Sequence, residues 1–213
     1  MIFEVEGLEI TIIDTDDRMA IHMAEGRGYE RESLTAWAKM VQPGKVALDV
    51  GAYTGLFSII AAKRGAVAVA MEPMPANRWR LECNVAANKV AVMLLDVAAS
   101  DRMGVSTLHF NPNVPLTTGA SLEKGIVAHR DSIEIRLVTI DALALNNLCA
   151  IKIDVERHER CVLRGAMETI ERDRPTLLIE TLDDDMRAQV LHSLPSYSIA
   201  AILDGRNTLF MPK

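Results

Sequence analysis

The chain has 213 residues, of which 49% are hydrophobic and 24% charged, a balance that suits one α/β domain with its own core and excludes disordered, collagen-like and coiled-coil classes. A net charge of −6 without any run of Lys or Arg disfavours non-specific binding to nucleic acid or to an anionic membrane surface. The three cysteines, Cys83, Cys149 and Cys161, are far apart and lack C-x-x-C spacing, so neither a disulfide framework nor a zinc site is expected. The acidic start Met1–Glu6 has no cationic leader, and no apolar run approaches about 18 residues, so the expectation is a cytoplasmic protein without signal peptide or membrane span.

Residues 2–13 alternate in part around Gly7 and predict a short hairpin. Leu34, Trp37, Ala38 and Val41 follow helical spacing, and Pro43-Gly44 stops the helix. A β-α rhythm follows: a strand over Val46 to Val50, a helix over Leu56 to Arg64, a strand over Ala66 to Met71. Next come a helix over Pro75 to Asn88 with Trp79, Cys83, Ala86 and Ala87 on one face, and a strand over Val90 to Leu95. Later, a strand over Ala150 to Val155 leads into one helix burying Val162, Leu163, Ala166, Met167 and Ile170. The chain then reads as a strand over Thr176 to Ile179, a helix over roughly 183–193, and a hairpin of Tyr197 to Leu203 with Thr208 to Met211 around Asp204-Gly205. This pattern predicts one domain over 1–213: a hairpin and helix in 1–44, and a core over 45–213 with a β-excursion inserted at about 102–149. The sheet is expected to be mostly parallel, covered on both faces, and closed by the antiparallel hairpin.

Two strand ends carry ligand-binding chemistry. In Leu48-Asp49-Val50-Gly51-Ala52-Tyr53-Thr54-Gly55, Gly51 admits a ligand close to the backbone, Gly55 lets the next helix start near the strand, and Asp49 offers a carboxylate to a cationic group. The spacing is G-x-x-x-G rather than the dinucleotide G-x-G-x-x-G, and an ordinary strand–helix turn would also use such glycines. Met71-Glu72-Pro73 puts an acid at the next strand end, where a carboxylate can accept both hydroxyls of a ribose, and Pro73 turns the chain behind it.

With these blocks in hand, the chain resembles the FkbM family of methyltransferases. The resemblance runs from Gly28-Tyr29-Glu30 through Asp49–Gly55, Glu72-Pro73, Asn84, Asn88, Ala98-Ala99-Ser100-Asp101, Thr118-Gly119-Ala120-Ser121-Leu122 and Leu137–Asp141. It continues through Ile151-Lys152-Ile153-Asp154-Val155-Glu156, His158-Glu159, Val162-Leu163, Gly165-Ala166, Arg174-Pro175 and Glu180. It implies a Rossmann-like, seven-stranded class I methyltransferase fold, S-adenosylmethionine as methyl donor, and O-methylation of a hydroxyl on a sugar, polyketide or other small molecule. The donor site is expected at Asp49, Gly51, Tyr53, Gly55, Glu72, Pro73 and the Asp96–Ala99 stretch, Asp96 and Ala98 above all. Two positions depart from the family pattern: Tyr53 where Asn is usual, and Arg157 where Gly is usual.

Asp154, Glu156, His158 and Glu159 form the densest polar cluster. His158 is the expected proton acceptor, with Asp154 and Glu156 orienting it or, alternatively, holding a hard cation. A helix N-terminus decorated with acids would read the same way. The acceptor is expected between the 111–122 loop and Asp154–His158, touching Tyr29, Ser121, Arg157 and Glu180, with no metal ligands assigned. His22, His109, His129 and His192 fall in no constellation, and the 11 methionines read as core filler. Competing functions are a nucleic-acid methyltransferase of the same fold, disfavoured by charge and by the absence of an N-P-P-Y tetrad, and a cofactor-binding but silent partner protein, which Arg157 keeps open. A nicotinamide oxidoreductase is third, since the glycine fingerprint is wrong.

Overall fold

The structure, a computed structural model, describes residues 1–13, 22, 29–113, 116, 119–123 and 130–213. Strands β1 (Ile2–Val5) and β2 (Leu8–Thr11) make the hairpin at Gly7, and α1 (Arg31–Met40) follows. The rhythm then runs β3 (Val46–Val50), α2 (Leu56–Lys63), β4 (Val67–Met71), α3 (Pro75–Ala87) and β5 (Val92–Leu95). Then come β6 (Ala98–Ala99), just ahead of the expected excursion, and within it β7 (Gly104–Phe110) and β8 (Asp131–Val138). After it come β9 (Leu148–Ile153), α4 (Glu159–Arg164), α5 (Met167–Asp173), β10 (Thr176–Glu180), α6 (Asp184–His192), β11 (Tyr197–Leu203) and β12 (Asn207–Pro212).

The seven-stranded sheet has the order β11-β12-β10-β9-β3-β4-β5. From β10 to β5 all neighbours are parallel, and β12 runs antiparallel between β10 and β11. The central strands are near-continuous apolar runs because helices cover both faces. The two-residue side-chain period sends Leu48, Val50, Val69, Ile151 and Leu177 to one face, against Val162, Leu163, Ile170 and Val190. It sends Ala47, Ala68, Ala150 and Leu178 to the other, against Leu34, Trp37, Ile59 and Ile60. The small residues on that second face let Trp37 seat fully, its Nε1–H donating to the Phe57 carbonyl at 2.8 Å. The excursion's two strands join β6 in a separate three-stranded sheet, β6-β8-β7. The β11–β12 turn has positive φ at both Asp204 (51°) and Gly205 (69°), the type I′ geometry that an Asp-Gly pair favours. Among the described residues no helix is long and apolar enough to cross a membrane.

Two helices depart locally from their apolar sequence pattern. The helix expected to run on through Ala166 is broken into α4 and α5 at Gly165, whose missing Cβ would lie 2.0 Å from the Ser100 carbonyl oxygen, and Met167 is only partly buried. In α3 the buried residues are Asn77, Arg80, Leu81 and Asn84, whereas Trp79 is 58% exposed and Ala86 also faces out. The cause is backbone chemistry. The Asn84 side chain accepts from Ile13 N at 2.8 Å and donates to the Thr54 carbonyl at 2.8 Å, while Asn88 does both for Thr11. Burying these amides satisfies the edge of β2, which outweighs burying the apolar stripe.

Candidate functional site

The carboxyl ends of β3, β4 and β9 open into one cavity of about 450 Å³. Gly51, Tyr53, Glu72, Pro73, Val97, Ala98 and Ala99 line it on one side. Tyr29, Glu30, Asp154, Val155, Glu156, His158 and Arg206 line the other, and Leu108, Asn111, Gly119, Ala120 and Leu122 of the excursion close it. Its position outside the strand ends is where open α/β sheets bind ligands, and its size suits a small molecule.

Glu72 is the fixed point of the first side. Its Oε2 accepts from Tyr53 N at 2.8 Å, and its Oε1 accepts from Met74 N at 2.9 Å and from the Asn77 side chain at 3.4 Å. Burial pushes this carboxyl up to about 7 against those hydrogen bonds. Gly51 has φ 79°, and a Cβ there would lie 1.8 Å from the Asp154 carbonyl oxygen, so the backbone that comes close at Gly51 is that of the neighbouring strand end. Gly55, at φ 90°, makes room for Leu81 of α3, 2.7 Å from where its Cβ would be. Asp49 is buried and accepts from Ser58 Oγ at 2.6 Å; burial raises it to about 6, opposed by Ser58 and Lys152. Asp49 and Gly55 thus brace the loop from behind and do not line the cavity. Asp96 is also outside the lining, with its carboxylate paired to Arg136 on the surface.

The second side is rich in buried charge. Lys152, 1% exposed, faces Asp49 in the β3–β9 register, donates to Asp154 Oδ2 at 2.9 Å, and lies 5.1 Å from the centroid of the Phe57 ring. Burial alone would lower its pKa, but Asp154, Glu30 and Glu180 outweigh that and raise it. Arg206 pairs with the buried Glu180, and Glu180 is pushed upward by burial and by Asp154 against the pull of Arg206. Glu156 lines the cavity and is pushed up to about 7 by burial and then by Asp154. Glu30, raised chiefly by burial, lines the cavity beside Tyr29. Among the described residues no three His, Cys, Asp or Glu side chains converge as metal ligands.

His158 is placed differently from the expectation. Neither Asp154 nor Glu156 is its partner: Nδ1 lies 2.9 Å from Glu123 Oε1, and Nε2 lies 3.0 Å from Ser100 Oγ. Glu159, fully buried, accepts from Val155 N and Arg157 N at 3.2 Å each and so braces the loop rather than the cavity. Ser121 donates to the Glu156 carbonyl at 2.7 Å, Glu180 sits behind Arg206, and Arg157 points to solvent; of the expected acceptor contacts only Tyr29 lines the cavity.

The two departures from the family pattern share a backbone setting. Tyr53 (φ 51°) and Arg157 (φ 76°) both occupy the left-handed region, which Asn and Gly tolerate best. Sequence reading passed over Glu30, Arg206, Glu123 and Ser100 as site residues, and it set aside His22. The His22 ring stands edge-on to Tyr29 at 6.4 Å and lines the cavity. Glu30 and Ser100 stood inside the blocks that carry the family resemblance, and Arg206 follows the predicted Asp-Gly turn at the sheet's carboxyl end; Glu123 carried no signal. Gly28, Thr118 and His129, along with part of the 111–122 loop, lie outside the described residues.

Comparison with known proteins bears on this geometry. Residues 49–196 match the family model of the methyltransferase FkbM domain. The chain is 31% identical over 157 residues to the 31-O-demethyl-FK506 methyltransferase FkbM of Streptomyces tacrolimicus, covering 59% of this chain and 60% of that relative. The crystal structure of a methyltransferase FkbM from Methylobacillus flagellatus superposes with TM-score 0.52 at 18% identity, over 84% of this chain and 51% of the other. A 16S rRNA N2 G1207 methyltransferase from T. thermophilus, in complex with AdoMet and guanosine, superposes with TM-score 0.55 at 13% identity, over 100% of this chain and 50% of the other. These two likenesses establish the class I methyltransferase fold. The chain therefore spans between half and two thirds of the length of each of these proteins.

Proposed function

The chain belongs to the FkbM methyltransferase family, and from that premise we propose that it moves a methyl group from S-adenosylmethionine to a hydroxyl of a small molecule such as a sugar or polyketide. The observation that carries this reading is the continuity of one cavity from Glu72 to Glu156. At the Glu72 end the residues fit the donor. The carboxylate is held by two backbone N–H groups and keeps acceptor capacity on Oε2 for ribose hydroxyls, each such bond contributing about 1.5–3 kcal/mol. Val97 and Ala98 provide an apolar wall beside it, and the surplus of carboxylates at Glu30, Asp154 and Glu156 favours a cationic donor. When bound, S-adenosylmethionine supplies an electrophilic methyl on a sulfonium that departs as a neutral thioether.

The protein's remaining task is alignment and proton removal. Glu156 suits the second role: it faces the cavity, and its carboxyl is pushed to about 7, so near neutral pH it is partly ionised yet basic enough to take the acceptor hydroxyl's proton. His158 has both ring nitrogens engaged, by Ser100 and Glu123.

Calorimetry with S-adenosylhomocysteine tests the donor half. The wild-type protein is expected to bind it, and Glu72→Ala to bind roughly ten- to a hundredfold more weakly while remaining folded. Labelled S-adenosylmethionine incubated with cell extract tests the acceptor half, with label expected in the small-molecule fraction. Label confined to RNA, or no binding by the wild type, overturns the reading.

A further inference from the structure

We infer that His158 is a positioning residue that fastens the acceptor-side wall of the cavity, Gly119–Glu123, to the core; what that wall faces rests on the methyltransferase reading above. Gly119, Ala120 and Leu122 supply the lining of this wall, yet the segment belongs to no helix or long strand. Its ties are few. A backbone bridge joins Ser121 to His109 at 2.9 and 3.0 Å, Ser121 Oγ donates to the Glu156 carbonyl at 2.7 Å, and Glu123 meets His158. Ser121 Oγ also accepts from Glu123 N at 3.0 Å, which aims the Glu123 side chain.

His158 is built to anchor. It is 7% exposed and is held from behind by Ser100, itself 1% exposed. Ser100 N donates to the Val138 carbonyl at 2.9 Å, and the Ser100 carbonyl packs against Gly165. The tautomer with the proton on Nδ1 satisfies both neighbours at once, donating to Glu123 and accepting from the Ser100 hydroxyl. The outer end of the link is different: the Glu123 side chain is 47% exposed. The bond thus joins a rigid buried ring to a half-solvated segment, and its loss opens the segment rather than the core. A half-solvated segment opens locally at lower cost than the core, so this hydrogen bond weighs in its closed fraction. The wall is the acceptor side of the cavity, so His158 sets how well the acceptor is held and leaves the donor end alone.

The experiment is hydrogen–deuterium exchange on the full chain, read at the amides of His109 and Ser121, with S-adenosylhomocysteine calorimetry alongside. Glu123→Ala, at a half-exposed position, is expected to speed exchange at these amides roughly tenfold and to leave S-adenosylhomocysteine affinity unchanged. Glu123→Gln keeps an oxygen for Nδ1–H and is expected to restore the wild-type rate. With a hydroxyl-bearing fraction of cell extract as acceptor, Glu123→Ala should raise the apparent KM and hold kcat. Wild-type exchange in both Glu123→Ala and His158→Ala overturns the inference, as does a Glu123→Gln variant that opens as far as Glu123→Ala. Failure of the wild type to bind S-adenosylhomocysteine would instead sink the methyltransferase reading, leaving the exchange result to stand or fall separately.

Discussion

The carboxylate of Asp204, at the tip of the C-terminal hairpin, accepts the backbone N–H of Ser33 at 2.8 Å and that of Glu32 at 3.0 Å. Glu30, the residue at the cap position of α1, has φ 43° and makes no side-chain cap, so the first turn of this helix is capped from the far end of the sequence. Asp204→Ala should therefore cost about 1–2 kcal/mol of stability, measured as a lowered urea midpoint with an unchanged m-value. A midpoint within error of the wild type would show that solvent serves these N–H groups equally well.

Gly51 separates two roles for its glycine. A ligand-approach role would leave the unliganded protein intact after Gly51→Ala. The 1.8 Å encounter with the Asp154 carbonyl and the φ of 79° predict instead a loss of more than about 3 kcal/mol without any ligand present. Thermal unfolding of the free protein decides between them.

Arg157→Gly should stabilise the protein. The left-handed backbone at φ 76° costs a non-glycine residue about 1–2 kcal/mol, and the greater freedom of glycine in the unfolded chain returns part of that, leaving a net gain of about 0.5–1 kcal/mol. The side chain is exposed and outside the cavity lining, so S-adenosylhomocysteine affinity should not move. A destabilised variant would mean that the guanidinium makes up for the backbone strain.

Glu159 makes stability depend on pH. Burial raises its folded-state pKa to about 7 from an ordinary 4.5. Between those values the folded chain holds a proton that the unfolded chain has released, so its contribution is full below about pH 4.5 and is lost as pH rises through about 7. Glu159→Gln keeps an oxygen for Val155 N and Arg157 N but does not titrate. Relative to wild type it should gain on the order of 1–3 kcal/mol between pH 5 and pH 8. Parallel stability curves for the two proteins over that range would contradict this.

Glu156 is the sharpest test of the chemistry. With its carboxyl near 7, the methyl-transfer rate should climb through neutral pH as the base form accumulates, and Glu156→Gln should lose about 10²–10⁴-fold and that limb of the profile with it. A Glu156→Gln variant that keeps both rate and pH profile would assign the proton to another group.

What was legible in the sequence follows from range. The apolar runs of Val46–Val50, Val67–Met71 and Leu148–Ile153 report local burial, and Asp204-Gly205 reports a local turn, so the succession of strands and helices and the closing hairpin could be read directly. The buried face of α3 could not, because Asn84 and Asn88 are drawn inward by the backbone of β2, far away in sequence. The break at Gly165 has the same character, as it depends on the Ser100 carbonyl. In the site, the strand-end residues Gly51 and Glu72 were visible through their motifs. The partners of His158 were not: Ser100 lies in a matched block that says nothing of what it touches, and Glu123 carries no motif and reaches His158 only through the folding of the excursion.

The burial of Lys152 turns one amine into a reporter. Protonated, covered by Phe57 and held by Asp154, it is a poor nucleophile toward acylating reagents while the sheet is intact. Solvent-facing amines such as Lys39 react without any unfolding. The lag between the two, followed by mass spectrometry of the labelled peptides, times the opening of the protein's centre without a spectroscopic probe, a ligand or a mutation.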